Sequence, residues 1–187
     1  MGVAVTTRKF TVDEYHTMIQ SGILQEDDRM ELLAGEIVEM SPISSRHAAV
    51  VDKLAQLMIY RLGENGIVRI QNPVDLGKHS EPQPDIALVK YKKNFYANSL
   101  PRPEDIFLLI EVGETSIDSD RQVKLPLYAT AGIPEVWLID LLKDVVERYL
   151  EPKGDAYQRT EKYGIGQEII PESFSQLRLA VKDILLK

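Results

Sequence analysis

Ile106-Phe107-Leu108-Leu109-Ile110-Glu111-Val112 decides how the chain is read. Every residue but Glu111 is apolar, and Gly113-Glu114-Thr115 closes the run. A segment this short and this apolar reads as a strand covered on both faces, at the centre of a sheet. Its one carboxylate stands at the C-terminal end, where burial without a partner is costly.

The next segments follow from that strand. Ser116 or Asp118 can cap a helix over about 119–131, with Gly132 at its C′ position. Pro126 falls inside this helix and should kink or interrupt it. Val136-Trp137-Leu138-Ile139-Asp140 then reads as a second strand. Strand, helix, strand is a crossover unit, so the two strands are expected to be parallel neighbours. A turn at 142–144 leads into Val145–Leu150, giving a hairpin. After Pro152 the pattern weakens to short strands near 157–159 and 168–170, with a closing strand and helical turn over 177–186.

Upstream, Asp85 follows Pro84 and opens the apolar strand Asp85–Val89. Ile67–Gln71 reads as another strand, with Val74-Asp75-Leu76 as its continuation past Pro73. Val50, Val51, Leu54, Leu57, Met58 and Leu62 recur at helical spacing, so residues 46–62 form a helix capped by Ser44 or Ser45. Residues 29–40 read as a hairpin turning at Ala34-Gly35. Thr11-Val12-Asp13-Glu14 fits a capping box for a short helix that stops near Ser21-Gly22. Residues 1–10 are a loose leader, and 11–187 a single domain.

Composition narrows the chemistry. The chain has 187 residues, 44% hydrophobic and 27% charged, with no cysteine. Thiolate nucleophiles and cysteine-based metal centres are therefore excluded. No apolar run approaches membrane-spanning length and no signal-peptide core opens the chain, so the cytoplasm is expected. A net charge of −7 disfavours broad contact with polyanions but leaves room for a local groove. Residues 90–105 mix Lys90, Lys92, Lys93 and Arg102 with Tyr91, Phe95 and Tyr96. That mixture suits a nucleic-acid contact. It equally suits an exposed loop that pins its aromatics on the core.

Asp85 and Glu111 each stand at an end of an apolar strand, and Lys124 comes from the helix that follows. Two carboxylates are hard oxygen ligands for magnesium or manganese, and the carbonyl of Val112 would add a third oxygen. A lysine would stabilise charge on a phosphoryl transition state. Glu31 interrupts an otherwise apolar run, whereas Glu39 reads as a solvated strand residue. His47, in the first turn of its helix, reads as a capping-region residue or as one aimed at a phosphate or a water.

The whole chain resembles the Uma-type family of restriction endonucleases, within the PD-(D/E)XK nuclease superfamily. Glu31-Leu32-Leu33-Ala34-Gly35-Glu36-Ile37 with Pro42 and His47, Pro84-Asp85-Ile86 and Glu111-Val112 carry the likeness. So do Asp120-Arg121, Lys124, Tyr128-Ala129 and the run Ala131 to Asp140. The resemblance spans residues 10–185. It implies a restriction-endonuclease-like fold, an α/β (α+β mixed) domain with a central mixed β-sheet flanked by helices. It implies a metal site at Asp85 and Glu111, and adds Glu31 as an auxiliary acid and His47 to the candidate catalytic residues. Asp120 matches a family position without an assigned role. The superfamily's lysine would stand two residues after Glu111, but that position is Gly113. The resemblance supplies Lys124 in its place.

The expected activity is magnesium- or manganese-dependent hydrolysis of DNA phosphodiesters, without a membrane and with a homodimer as the form that cuts both strands. The hairpin 136–150 and the apolar edges after 160 are the expected dimer surfaces. Two alternatives stand beside this. One is an inactive nuclease fold that binds nucleic acid or a protein partner. The other is a metal-independent hydrolase using Asp85 and Glu111 as an acid–base pair.

Overall fold

The computed structural model describes residues 7–25 and 28–187; positions 1–6 of the expected leader lie outside the described residues. Thr11 and Glu14 form the reciprocal bonds of a capping box at the start of α1 (Val12–Gln20). Phe10 N–H donates to Gly35 O at 2.9 Å, which ties the end of the leader to a hairpin. That hairpin is β1 (Met30–Leu33) and β2 (Glu36–Glu39). Ala34 and Gly35 both take positive φ, 48° and 77°, as a type I′ turn requires. Glu39 is exposed, as read. Helix α2 (Ser45–Leu62) starts at Ser44, whose hydroxyl accepts the His47 N–H, and buries the apolar stripe its spacing predicts.

Six strands form the main sheet: β3 (Ile67–Ile70), β4 (Ile86–Val89), β5 (Ile106–Gly113), β6 (Glu135–Asp140), β7 (Val145–Lys153) and β8 (Ala156–Tyr163). They lie in sequence order, and only β5 and β6 run parallel. The crossover between those two holds α3 (Ile117–Ser119), a π-helical turn Asp120–Lys124, and α4 (Leu125–Thr130). So the single helix read over 119–131 is three pieces. Pro126 has no N–H to continue an α-helical ladder. The ladder resets just before it, where Leu125 N–H reaches back five residues to Asp120 O.

Each face of the sheet carries a core, and strand periodicity sorts the residues. Ile86, Leu88, Leu108, Ile110, Val112, Trp137 and Ile139 pack under α2 and a C-terminal unit. That unit is β9 (Glu168–Ile169), β10 (Leu179–Ala180) and α5 (Val181–Ile184). Ala87, Val89, Leu109, Val136 and Leu138 pack on the other face, with Leu125 and Tyr128 of the crossover. Leu108, Leu109 and Ile110 are wholly buried. Each such side chain contributes about 1.5–3 kcal/mol of burial.

Two sequence expectations need correction. Val74–Leu76 does not continue β3. Gln71 turns the chain at φ 49°, and Val74 N–H bonds Pro82 O instead. The expected hairpin is β6 with β7, but β7 runs on past Leu150 to Lys153 and turns back into β8 as a second hairpin. β8 is an edge strand alternating between exposed and half-buried residues, and its largely polar sequence hid all but the short strand read near 157–159. β6, paired on both sides, cannot serve as a dimer edge. Among the described residues, no helix is long and apolar enough to cross a membrane.

In the basic–aromatic loop, Tyr96 is buried, and its hydroxyl donates to Lys90 O. Lys92 and Arg102 pair with Asp105 and Asp75. Tyr91 and Phe95 stay exposed, edge to face with centroids 5.9 Å apart.

Glu147 on β7 is a buried acid satisfied from three sides, by Arg121, Lys162 and Tyr149. Burial alone would raise its pKa, but hydrogen bonds from those groups outweigh burial and bring it down to about 2. A depressed carboxylate stabilises the fold above its unfolded pKa, and that stability is lost as pH falls through the folded value. Glu147→Gln should therefore cost about 1–3 kcal/mol at pH 7. Urea unfolding at stepped pH should show this cost shrinking between pH 4.5 and about 2. A cost that is flat across that window would contradict the assignment.

Candidate functional site

Strand parity brings the two central carboxylates together. Ile86 of β4 pairs with Ile110 of β5, and both point to the α2 face. One step along this antiparallel register sets Asp85 opposite Glu111, on the other face, beneath the crossover. Asp85 is held from three directions. Its Oδ2 accepts the Val112 N–H at 2.8 Å. Its Oδ1 lies 2.8 Å from His47 Nε2 and accepts from Gln71 Nε2 at 3.2 Å.

The π-helical turn presents Lys124 to the same place. Lys124 Nζ lies 3.1 Å from Glu31 Oε1 and 3.3 Å from Glu111 Oε1. Pro126 thus leaves the lysine aimed at the acids. Tyr128, one helical turn beyond Lys124 on the same face, donates its hydroxyl to Glu111 Oε1 at 2.5 Å. Glu31 arrives on β1, fixed by the Gln83 N–H on its Oε2 at 3.0 Å. A bridge between Leu32 and Glu81 locks β1 to the segment leading into Asp85. Asp120 opens the π-helical turn and is buried beside the others. Glu31, His47, Asp85, Glu111, Asp120 and Lys124 all line one cleft of about 280 Å³.

All five residues proposed from sequence as catalytic are therefore in one place, with Asp120 added. Sequence reasoning missed Gln71, the Gln83 amide and the role of Tyr128. Tyr128 had a usable signal, its spacing of four from Lys124. Gln71 had none, because its left-handed backbone is set by tertiary contacts.

Charge in the cleft is unbalanced. Four buried carboxylates face one buried lysine and one half-buried histidine, and Glu36, Glu39, Glu114 and Arg29 line the cleft's outer part. Burial pushes Glu111 well above the usual carboxylate range; Lys124 pulls it back, and Asp120, Asp85 and Glu31 push it further up. Burial likewise raises Asp120 to about 6, against the pull of Lys124 and with Asp85 and Glu31 adding to the rise. Burial would lower Lys124, but Glu111, Glu31 and Asp120 outweigh it and leave its pKa raised. A site of hard oxygen donors with surplus negative charge fits a divalent cation in kind and in charge. Among the described residues, no three His, Asp or Glu side chains already converge on a metal-sized point. Asp85 and Glu111 are turned instead to the donors named above.

Comparisons with known proteins bear on the fold and the family. The fold is shared with a protein from Anabaena variabilis ATCC 29413 described as "a putative nuclease belonging to DUF820". The TM-score is 0.76 at 21% identity, covering 95% of this chain and 98% of that one. Comparison with curated proteins finds no match. A protein-family model described as "Uma2: Putative restriction endonuclease" matches residues 12–182, nearly the whole chain, and the chain belongs to that family.

Proposed function

We propose that the chain is a divalent-metal-dependent endonuclease that hydrolyses phosphodiester bonds of DNA. The observation that carries this reading is one lysine held among Glu31 and Glu111, with Asp85 opposite Glu111 on the neighbouring strand. Family membership supports nuclease chemistry over the alternatives, and the surplus of acid supports a cation. Asp85, Glu111 and the Val112 carbonyl would hold magnesium or manganese. The ion would polarise a phosphate oxygen and lower the pKa of an attacking water.

The chain's own groups have separable roles in this scheme. Lys124 supplies positive charge where the phosphoryl group gains negative charge. His47 and Gln71 fix the orientation of Asp85. Tyr128 fixes Glu111. Glu31 holds Lys124 in place from the far side. Cutting both strands would require two copies.

The test is nicking of supercoiled plasmid with magnesium or manganese, and with chelator as control. Wild type should nick only with metal. Asp85→Ala, Glu111→Ala and Lys124→Ala should each reduce the rate by about 100-fold or more. The ratio of linear to nicked product against protein concentration reads whether two copies act together. Nicking that survives all three changes would place the activity elsewhere.

A further inference from the structure

Of the four buried carboxylates in the cleft, three are committed. Asp85 holds the Val112 amide, Gln71 and His47; Glu111 holds Tyr128 and Lys124; Glu31 holds Gln83 and Lys124. Asp120 differs. It is 9% exposed, it lines the cleft, and its carboxylate has neither a hydrogen bond nor an ion pair among the described residues. A carboxylate this far buried without a donor is costly, and only the through-space attraction of Lys124 and His47 offsets that cost.

We propose that Asp120 is a third protein ligand of the divalent cation, recruited from the π-helical turn to stand with Asp85 and Glu111. The inference rests on the metal-dependent reading above and adds a residue to it. Three arguments support Asp120 in this role. It is a hard oxygen donor, the type that magnesium and manganese take. It already sits in the cleft and need not break a bond to turn toward the ion. It also begins the turn whose last residue is Lys124, so one short piece of backbone positions both the ligand and the cation of the site. With only two carboxylates the ion would lean on water, and a third would raise affinity and fix its position.

Manganese alone is the probe, titrated by calorimetry into the full chain. Wild type should bind, and Asp120→Asn should bind with an affinity lower by about 10-fold or more. Asp118→Asn, an exposed acid two residues away that pairs with Arg121, should bind as wild type does. In chelator, without metal, Asp120→Asn should melt at or above the wild-type temperature, because it removes an uncompensated charge. A residue that merely braces the fold would melt lower. Equal manganese affinity in Asp120→Asn, with wild type still binding and nicking, overturns this proposal and leaves the nuclease reading intact. A lower melting point in chelator also overturns it. Failure of wild type to bind manganese at all removes the metal-dependent reading, and this inference with it.

Discussion

Lys124→Met should destabilise the protein by about 3–5 kcal/mol at pH 7, the usual cost of removing one partner from a buried ion pair. The side chain is 8% exposed, and its partners Glu31 and Glu111 are 5% and 3% exposed. Methionine keeps most of the stem's packing, so the loss reports charge rather than volume. Without the lysine, Glu111, Glu31 and Asp120 face each other with no compensating cation. The folded pKa values of Glu111 and Asp120, already above 4.5 and 3.8, must then rise further. A group whose folded pKa is raised gives stability that is present below its unfolded pKa and lost as pH rises through the folded one. The penalty of Lys124→Met should therefore be larger at neutral pH and shrink as pH falls through the raised folded values, about 6 for Asp120 in the wild type, so that little of it is left at pH 4. Denaturant unfolding at pH 4 and pH 7 checks this. Adding Glu111→Gln to Lys124→Met should recover part of the loss, because the two changes share one interaction. A loss equal at both pH values, with no recovery in the double variant, would show that Lys124 acts through packing alone.

How much of this site could be read from sequence depended on whether a residue's placement follows from local periodicity. Asp85 and Glu111 were legible because strand alternation and strand ends are local properties, and the register of β4 on β5 did the rest. Lys124 was legible only through family resemblance. Its direction depends on a π-helical turn that Pro126 announces but does not specify. Glu31 stood out as a carboxylate in an apolar run, yet nothing in the run said that Gln83 and Lys124 would meet it. Gln71 was invisible, since a left-handed glutamine is imposed by its surroundings. Among strands, β5 and β6 were plain because they are buried on both faces. The far end of β7 and most of β8 were not, because an edge strand does not need apolar residues on its exposed side. The basic–aromatic loop shows the limit of composition. Two of its basic residues are neutralised by acids that composition could not pair with them.

Gly113 explains why the lysine comes from the crossover. Counted by strand parity, position 113 shares the face of Glu111, so a lysine there would in principle point at the same acids. The backbone forbids it. A Cβ on Gly113 would lie 2.9 Å from Ile117 N, 2.9 Å from Ser116 Oγ and 3.1 Å from Ile117 Cα. Two of those three are main-chain atoms at the start of α3, which cannot swing aside as a side-chain tip can. Gly113 is also anchored, its carbonyl accepting the Leu141 N–H at 2.9 Å. The start of the crossover therefore presses on the end of β5, and any side chain at 113 must push the whole turn outward. Gly113→Ala should cost about 1–3 kcal/mol, the usual range for overpacking a tight site, and Gly113→Lys more. Displacing α3 would also shift the π-helical turn that carries Asp120 and Lys124. Moving the lysine to its superfamily position should accordingly fail: Gly113→Lys combined with Lys124→Met should remain inactive in plasmid nicking and melt below either single variant. Restored nicking in that double variant would show that the crossover yields, and that the cleft needs a lysine charge without needing this route to it.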